Sequence, residues 1–462
     1  MFTGRREELK ELKSRFETNR LEVVLVSGKR RIGKSQLIVE AQKSFPGIII
    51  SYECFRSSYE TNLRMLEAEI RKVFGNDYLH FGSLFEVLSF LHEQAAKTKV
   101  LFVLDEYPYM REGEATDSEI KNALDRINAL DATNPLKVVL CGSAIEVMNL
   151  LDESNKPLFG RFTSRIHVGP LTYLESASFY PNASLEDKIA YYCVMGGIPY
   201  YLKQVDDRLS FDENIVRLFF SSNPLLKTEL EAQINNEVAK IEKAAFVLGI
   251  IKDKTISYSD ILGVFNAAHP NKSIDYVLDR LKEIDAIEKV RIEQNNGRNK
   301  PYYQIKDNAM KFFFSYLNAP FGNRLLFSDM DYYRTFVEEN LKKKYIPHMF
   351  EKVGLEFVAA MNRKNLLPDR LLDIYPFTIN DKKTKKNYQF DVVGETKEGR
   401  INYECKFKDV PVAKTDAEKE SRQAELANEN FIKTVFISKT KILDPAVESF
   451  GLPDMFSDRL LG

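Results

Sequence analysis

The stretch "VVLVSGKRRIGKSQLIVEAQKSF", residues 23–45, decides the reading of the fold. Four apolar residues, Val23 to Val26, run into a turn that holds Gly28 and Gly33, and a helical pattern follows Lys34 and Ser35. A continuous apolar run is what a parallel strand buried on both faces requires. Glycines let successive backbone N–H groups turn inward around phosphate oxygens. Gly28, Lys29, Arg30, Arg31, Ile32, Gly33, Lys34 and Ser35 fit the pattern GxxxxGK[S/T], so all eight are candidate nucleotide-binding residues. In that pattern Lys34 meets the β- and γ-phosphates and the Ser35 hydroxyl meets Mg²⁺. The helix that follows aims its N-terminal dipole at the same anion. A surface Gly/Lys turn gives the same letters by chance. The position between strand and helix is what gives these letters weight. ATP and Mg²⁺ are therefore the expected ligands.

Outward from this loop, residues 1–200 alternate apolar strands with helical segments. The strands expected are 22–28, 47–55, 99–107, 137–144 and 164–171, with amphipathic segments such as "SLFEVLSFLHEQAAK" between them. This alternation predicts an α/β fold with a doubly wound parallel sheet. "VLFVLDEY" ends a strand in Asp105 and Glu106. Asp105 is placed to hold Mg²⁺ and Glu106 to orient and deprotonate the attacking water. Ser143, after the strand "KVVLCGSA", is either a γ-phosphate sensor or a simple strand end. Arg161, in "PLFGRFTSRIHVGPL", is either an arginine finger or a salt-bridging surface arginine, with Arg165 competing for the role.

The order "GKRRIGKS", "LFVLDEY", "CGSA", "FGRF" and "GGIPYYL" (196–202) resembles the archaeal-type ATPases of the AAA+/STAND group, which also occur in bacteria. The resemblance implies a nucleotide-driven switch with slow hydrolysis, on a P-loop NTPase fold with a helical lid. It places the "GGIPYYL" segment in the lid near the nucleotide, and with it Pro199. The same segment also reads as a turn between two helices.

Five regions are expected. They are a P-loop core (1–184), a helical lid (185–235), a winged helix (236–306), a helical connector (307–345) and an α+β, restriction-endonuclease-like domain (346–462). The winged-helix reading rests on three short helices followed by a hairpin with the turn "NNGRNKP". Its third helix, "SIDYVLDRLKEI", which could enter a DNA major groove, is acidic, which is poor for phosphate contact. The wing, with Arg291, Arg298 and Lys300 beside Tyr302 and Tyr303, is the better DNA surface. A packing or relay role competes with it.

In the last region, Asp391 in "YQFD" precedes Glu404 and Lys406 in "INYECKFKD". On a strand, residues two apart share a face, so Glu404 and Lys406 point one way and Cys405 the other. A hairpin brings Asp391 alongside. Two carboxylates can then bind Mg²⁺ while the lysine positions or activates water for attack on a phosphodiester. The pattern D…ExK resembles the PD-(D/E)XK nucleases, and relatives of this ATPase commonly end in such a domain. The resemblance implies a further metal-binding glutamate on the preceding helix, Glu351 or, in reserve, Glu356. The catalytic candidates are thus Glu106, Arg161, Asp391, Glu404 and Lys406, and the metal candidates Ser35, Asp105, Glu351, Asp391 and Glu404. The alternative is an ATP-dependent DNA-binding regulator or scaffold with a degenerate nuclease fold. The lysine-rich loop 381–387 reads as either a phosphate track or solvated charge.

Composition sets the outer bounds. At 462 residues, two to four domains are expected, and an apolar fraction of 44% with 29% charged residues fits a globular chain. No apolar run approaches the ~20 residues that span a bilayer. "MFTGRREELKELKSRF" reads as a charged amphipathic helix rather than a signal peptide, so a cytoplasmic location without membrane contact is expected. Four scattered cysteines and five scattered histidines offer neither a disulfide framework nor a zinc site. With 66 basic and 67 acidic residues, DNA must be met by local basic patches. A homo-oligomer stays open, since an arginine finger acts either in its own subunit or in a neighbour.

Overall fold

The computed structural model describes residues 2–130, 135–294, 301–318, 322–381, 386–427, 429–440 and 442–461. The chain forms two compact units. The first comprises Met1–Pro170 with Ile198–Tyr200, the second Leu171–Gly197 with Tyr201–Gly462.

The first unit is built on five parallel strands, β1 (Glu22–Ser27), β2 (Ile48–Glu53), β3 (Val100–Asp105), β4 (Leu136–Gly142) and β5 (Ser164–His167), in the order β2-β3-β4-β1-β5. Every residue of β1, β3 and β4 is buried, as the unbroken apolar runs require. Helices α1 (Arg6–Glu17), α2 (Lys34–Gln42), α3 (Tyr59–Phe74), α4 (Leu84–Ala95) and α5 (Glu114–Leu130) alternate with the strands. Ser58 and Ser83 cap α3 and α4 by accepting from backbone N–H groups of the first turn. Leu66, Leu88, Leu91, Phe102, Leu124 and Leu140 belong to one apolar core shared by helices and sheet. The strand order puts the C-terminal ends of β1, β4 and β3 in a row. Those ends carry the glycine loop, Ser143 and the Asp105-Glu106 pair.

The second unit begins with helical segments, including Leu185–Met195. Helices Ala244–Ile251, Tyr258–Ala268 and Ile274–Glu283 accompany a three-stranded antiparallel sheet of β6 (Ile256–Ser257), β9 (Tyr302–Ile305) and β7 (Ile287–Val290). Arg298 and Lys300, the expected wing cations, lie outside the described residues, as do positions 382–385 of the lysine-rich loop.

The C-terminal part holds a sheet of six strands in the order β14-β13-β12-β11-β10-β8. After the helix Ile346–Arg363 come β10 (Asp373–Asp381), β11 (Lys386–Glu395) and β12 (Arg400–Lys406) as an antiparallel meander. The helix Lys414–Ala427 then crosses over to β13 (Phe431–Ser438), which runs parallel to β12 and is followed by β14 (Ser449–Gly451). Two features go beyond the sequence reading. Strand β10 was not anticipated, because Pro376 interrupts its apolar alternation. The wing strand β8 (Glu293–Gln294) joins this sheet, pairing with β10 at Phe377 and Thr378. Residues 293–294 are therefore engaged within the unit. No helix among the described residues is long and apolar enough to cross a membrane. All four cysteines are buried free thiols.

Candidate functional site

The glycine loop leaves β1 at Ser27, whose carbonyl accepts from the Val168 amide at 2.7 Å. Gly28 has φ 152°, and a Cβ there would lie 2.4 Å from the Val168 carbonyl oxygen, so no other residue fits. Gly33 turns the chain into α2 at φ 98°, and Arg31 also takes a left-handed φ of 66°. Arg5 steadies the loop by donating to the Ile32 carbonyl at 3.0 Å. The buried Lys34 side chain folds back along the loop, its Nζ donating to the carbonyls of Gly28 and Lys29 at 3.1 Å each. The ammonium thus sits in the cradle itself.

Across the sheet, the Ser35 hydroxyl donates to Asp105 Oδ2 at 2.5 Å. Two hard oxygen donors already meet at one point, the donor chemistry a Mg²⁺ ion takes. The backbone N–H of Glu106 donates to Asp105 Oδ1 at 2.9 Å, fixing that carboxylate's second oxygen. Glu106 itself has a left-handed backbone (φ 51°, ψ 41°), costly for a residue with a side chain. Its Oε2 accepts from the Ser143 amide at 3.0 Å and from the Ser143 hydroxyl at 2.8 Å. Ser143 is therefore more than a strand end, because it grips the carboxylate expected to activate water.

Tyr200 lies under the Arg31 guanidinium at 3.8 Å, and Pro199 stands 3.7 Å from where a Cβ on Gly33 would be. The Ile198–Tyr200 segment is thereby set on the loop. Arg161 forks onto Asp125 of α5, with Nε 2.6 Å from Oδ1 and Nη2 3.2 Å from Oδ2. Arg165 makes an equivalent fork with Asp152. Both arginines are held by carboxylates, as the salt-bridging reading of Arg161 expects. The remaining named loop residues, Lys29, Arg30 and Ile32, occupy the turn as the pattern requires.

In the second unit, strands β11 and β12 bring Asp391, Glu404 and Lys406 together. Pairing of Val392 with Tyr403 places Asp391 opposite Glu404 one step further along the register. Asp391 Oδ2 accepts from the Cys405 amide at 3.0 Å. Lys406 Nζ contacts Glu404 Oε1 at 2.5 Å and Glu420 Oε1, on the crossover helix, at 3.0 Å. Burial pushes the Asp391 carboxyl well above its ordinary range, and the facing Glu404 charge adds to this. Burial likewise raises Glu404, against the pull of Lys406. Lys406 is raised by its carboxylate neighbours despite its own burial.

The helix Ile346–Arg363 separates the two glutamates proposed for this site. Glu351 accepts from His348 at 3.1 Å and lies near enough for its charge to raise both Asp391 and Glu404. Glu356 is turned to Tyr192, whose hydroxyl donates to it at 2.8 Å. Glu351 is thus the member that faces the strands. Among the described residues, no three His, Cys, Asp or Glu side chains are gathered as a metal-holding group. Lys406 holds Glu404, the Cys405 amide donates to Asp391 and His348 contacts Glu351.

Two residues that sequence reasoning passed over belong to these sites. Glu420 lies on an amphipathic helix where a glutamate carries no pattern. Asp117 accepts from the Tyr107 hydroxyl at 2.7 Å and from Arg111 Nε at 2.9 Å, bracing the turn just after Glu106. The clustering of charge in "YPYMREGEATD" was the available signal for it.

Residues 2–205 match the family model described as an ATPase domain predominantly from Archaea. Residues 320–421 match one described as archaeal and bacterial proteins of unknown function. An uncharacterized protein of Methanocaldococcus jannaschii is 26% identical over 380 residues, 81% of each chain. Among solved structures, the Walker-type ATPase of Pyrococcus abyssi is similar with a TM-score of 0.52 at 19% identity, over 68% of this chain and 96% of that one. The ORC2 protein of Aeropyrum pernix gives 0.46 at 13%, over 67% and 92%. The N-terminal part of the chain is thus an archaeal-type ATPase domain with a P-loop fold, and a further, sheet-rich domain stands at the C-terminus.

Proposed function

We propose that this chain is an ATP-hydrolysing switch whose nucleotide state controls a C-terminal PD-(D/E)XK-type nuclease domain that acts on DNA. The observation that carries the reading is the grouping of a buried Glu404 with the partly buried Asp391 and Lys406 on adjacent strands, in a helix–three strands–helix–strand order. At the N-terminal site, Lys34 moves from the Gly28 and Lys29 carbonyls to the β- and γ-phosphates. Ser35 and Asp105 would hold Mg²⁺, which supplies charge neutralisation for the triphosphate. Glu106, once free of Ser143, accepts the proton of the attacking water. Pro199 and Tyr200 report the filled loop, and Arg161 of the same or a neighbouring subunit meets the transition-state charge after leaving Asp125.

At the C-terminal site no third donor is gathered beside Asp391 and Glu404 among the described residues. The chain's own part is Lys406, which on leaving Glu420 places its charge against a phosphodiester. A second reading, an ATP-dependent DNA-binding regulator or scaffold, is favoured by that same missing donor. Labelled DNA with Mg²⁺ or Mn²⁺ separates the two. The nuclease reading expects cleavage that vanishes in Lys406→Ala and that persists in Lys34→Ala without responding to ATP. No cleavage with any nucleotide or ion would overturn it in favour of the regulator.

A further inference from the structure

Strands β10 and β11 lose register at one point. Tyr375 pairs with Val393 and Phe377 with Phe390, so Pro376 alone stands opposite both Asp391 and Val392. Two residues against one is a β-bulge, a device that bends a strand and re-aims a side chain. Proline has no N–H to offer the ladder, so the break falls where the sequence demands it. The re-aimed residue is Asp391, whose carboxylate takes the Cys405 amide across the next strand at 3.0 Å. Asp391 stands opposite Glu404 on β12, so its aim depends on what holds the bulge.

The wing does so from both sides of Pro376. Before it, Arg291 Nη1 meets Asp373 Oδ2 at 2.8 Å, and the Arg291 guanidinium lies over the Tyr375 ring at 5.3 Å. After it, β8 pairs with Phe377 and Thr378. We infer that the wing is a positioning element for the C-terminal site, with Arg291 and β8 clamping β10 around Pro376 and so fixing the bulge that aims Asp391. This rests on reading Asp391, Glu404 and Lys406 as that site. It makes the wing a link by which a change in the winged-helix part reaches the carboxylates, with Arg291 a positioning residue and not a catalytic one.

The test is amide hydrogen exchange with mass-spectrometric readout on the full chain, run beside metal-dependent DNA cleavage. Arg291→Ala and, independently, Gln294→Pro should speed exchange at the Cys405 amide by about tenfold or more, while the β12–β13 ladder keeps its protection. The charge-swapped pair Arg291→Asp with Asp373→Arg, which restores the ion pair but not the contact with the Tyr375 ring, should recover part of the protection lost in Arg291→Ala, and any cleavage should follow the same order. Faster exchange along β8 and β10 with Cys405 unchanged would overturn the inference, since the wing would then have left without moving Asp391. Failure of the swap to rescue would overturn the role of Arg291. If the wild type cleaves nothing, the nuclease reading falls while the exchange comparison still decides this one.

Discussion

The two candidate sites solve opposite electrostatic problems. In the N-terminal site three of the expected chemical groups already have partners of matching character. Lys34 rests on carbonyls, Ser35 on Asp105 and Glu106 on Ser143. In the C-terminal site two buried carboxylates face each other, and their pKa values rise because the neighbouring lysine and amide do not offset burial. The first is a set of placeholders that a nucleotide displaces one for one. The second is a store of unfavourable charge that an arriving cation or proton relieves. A site built by a glycine loop is thus defined by backbone. A site built by strand register is defined by what the fold forces together.

Removing the N-terminal cation should give the largest effect. Lys34→Ala is expected to lower ATP turnover by about 10²–10³-fold with the fold intact, measured by phosphate release and circular dichroism. An unchanged rate would break the placeholder picture.

Lys311, also in the second unit, is another buried charge, 2% exposed and donating to Gln304 at 3.1 Å. Burial lowers its pKa from 10.5 to about 7. The unfolded chain therefore binds more protons between these values, and wild-type stability should rise with pH across that window. Lys311→Met should stabilise the protein by about 1–4 kcal/mol at pH 7 and lose its advantage towards pH 10, read by denaturant titration.

Asp391→Asn sharpens the comparison in the opposite pH range. A carboxyl raised on folding contributes stability that is complete below its unfolded pKa and lost as pH rises through the folded one. The variant should therefore be more stable than wild type by roughly 1–3 kcal/mol at neutral pH and equal to it in acid. A destabilised variant at neutral pH would mean that Asp391 is better satisfied than its surroundings indicate. The smallest effect is expected at Ser143→Ala, about 0.5–1.5 kcal/mol in stability from the lost hydroxyl contact to Glu106.

The same contrast explains what could be read from the letters. The N-terminal site was legible because each of its signals is local. Gly28 and Gly33 mark the turn, an apolar run marks β1, and Asp105-Glu106 marks a strand end. Asp391, Glu404 and Lys406 were legible as a spacing, yet their surroundings were not. Pro376 hid β10 behind a residue that argues against strands. Glu420 comes from a crossover helix, and the pairing of β8 with β10 joins segments some eighty positions apart, which no local pattern encodes. The two roles open for Arg161 show the same limit, since its Asp125 partner belongs to another element.

The central claim is that the amides and lysine of residues 28–35 hold a triphosphate. Calorimetric titration of ATP with Mg²⁺ into the full chain tests it most directly. The account predicts saturable binding at one site per chain in the wild type, retained in Glu106→Gln and lost in Lys34→Ala. A folded wild type that takes up no ATP, or a Lys34→Ala variant that binds it equally well, would contradict the account.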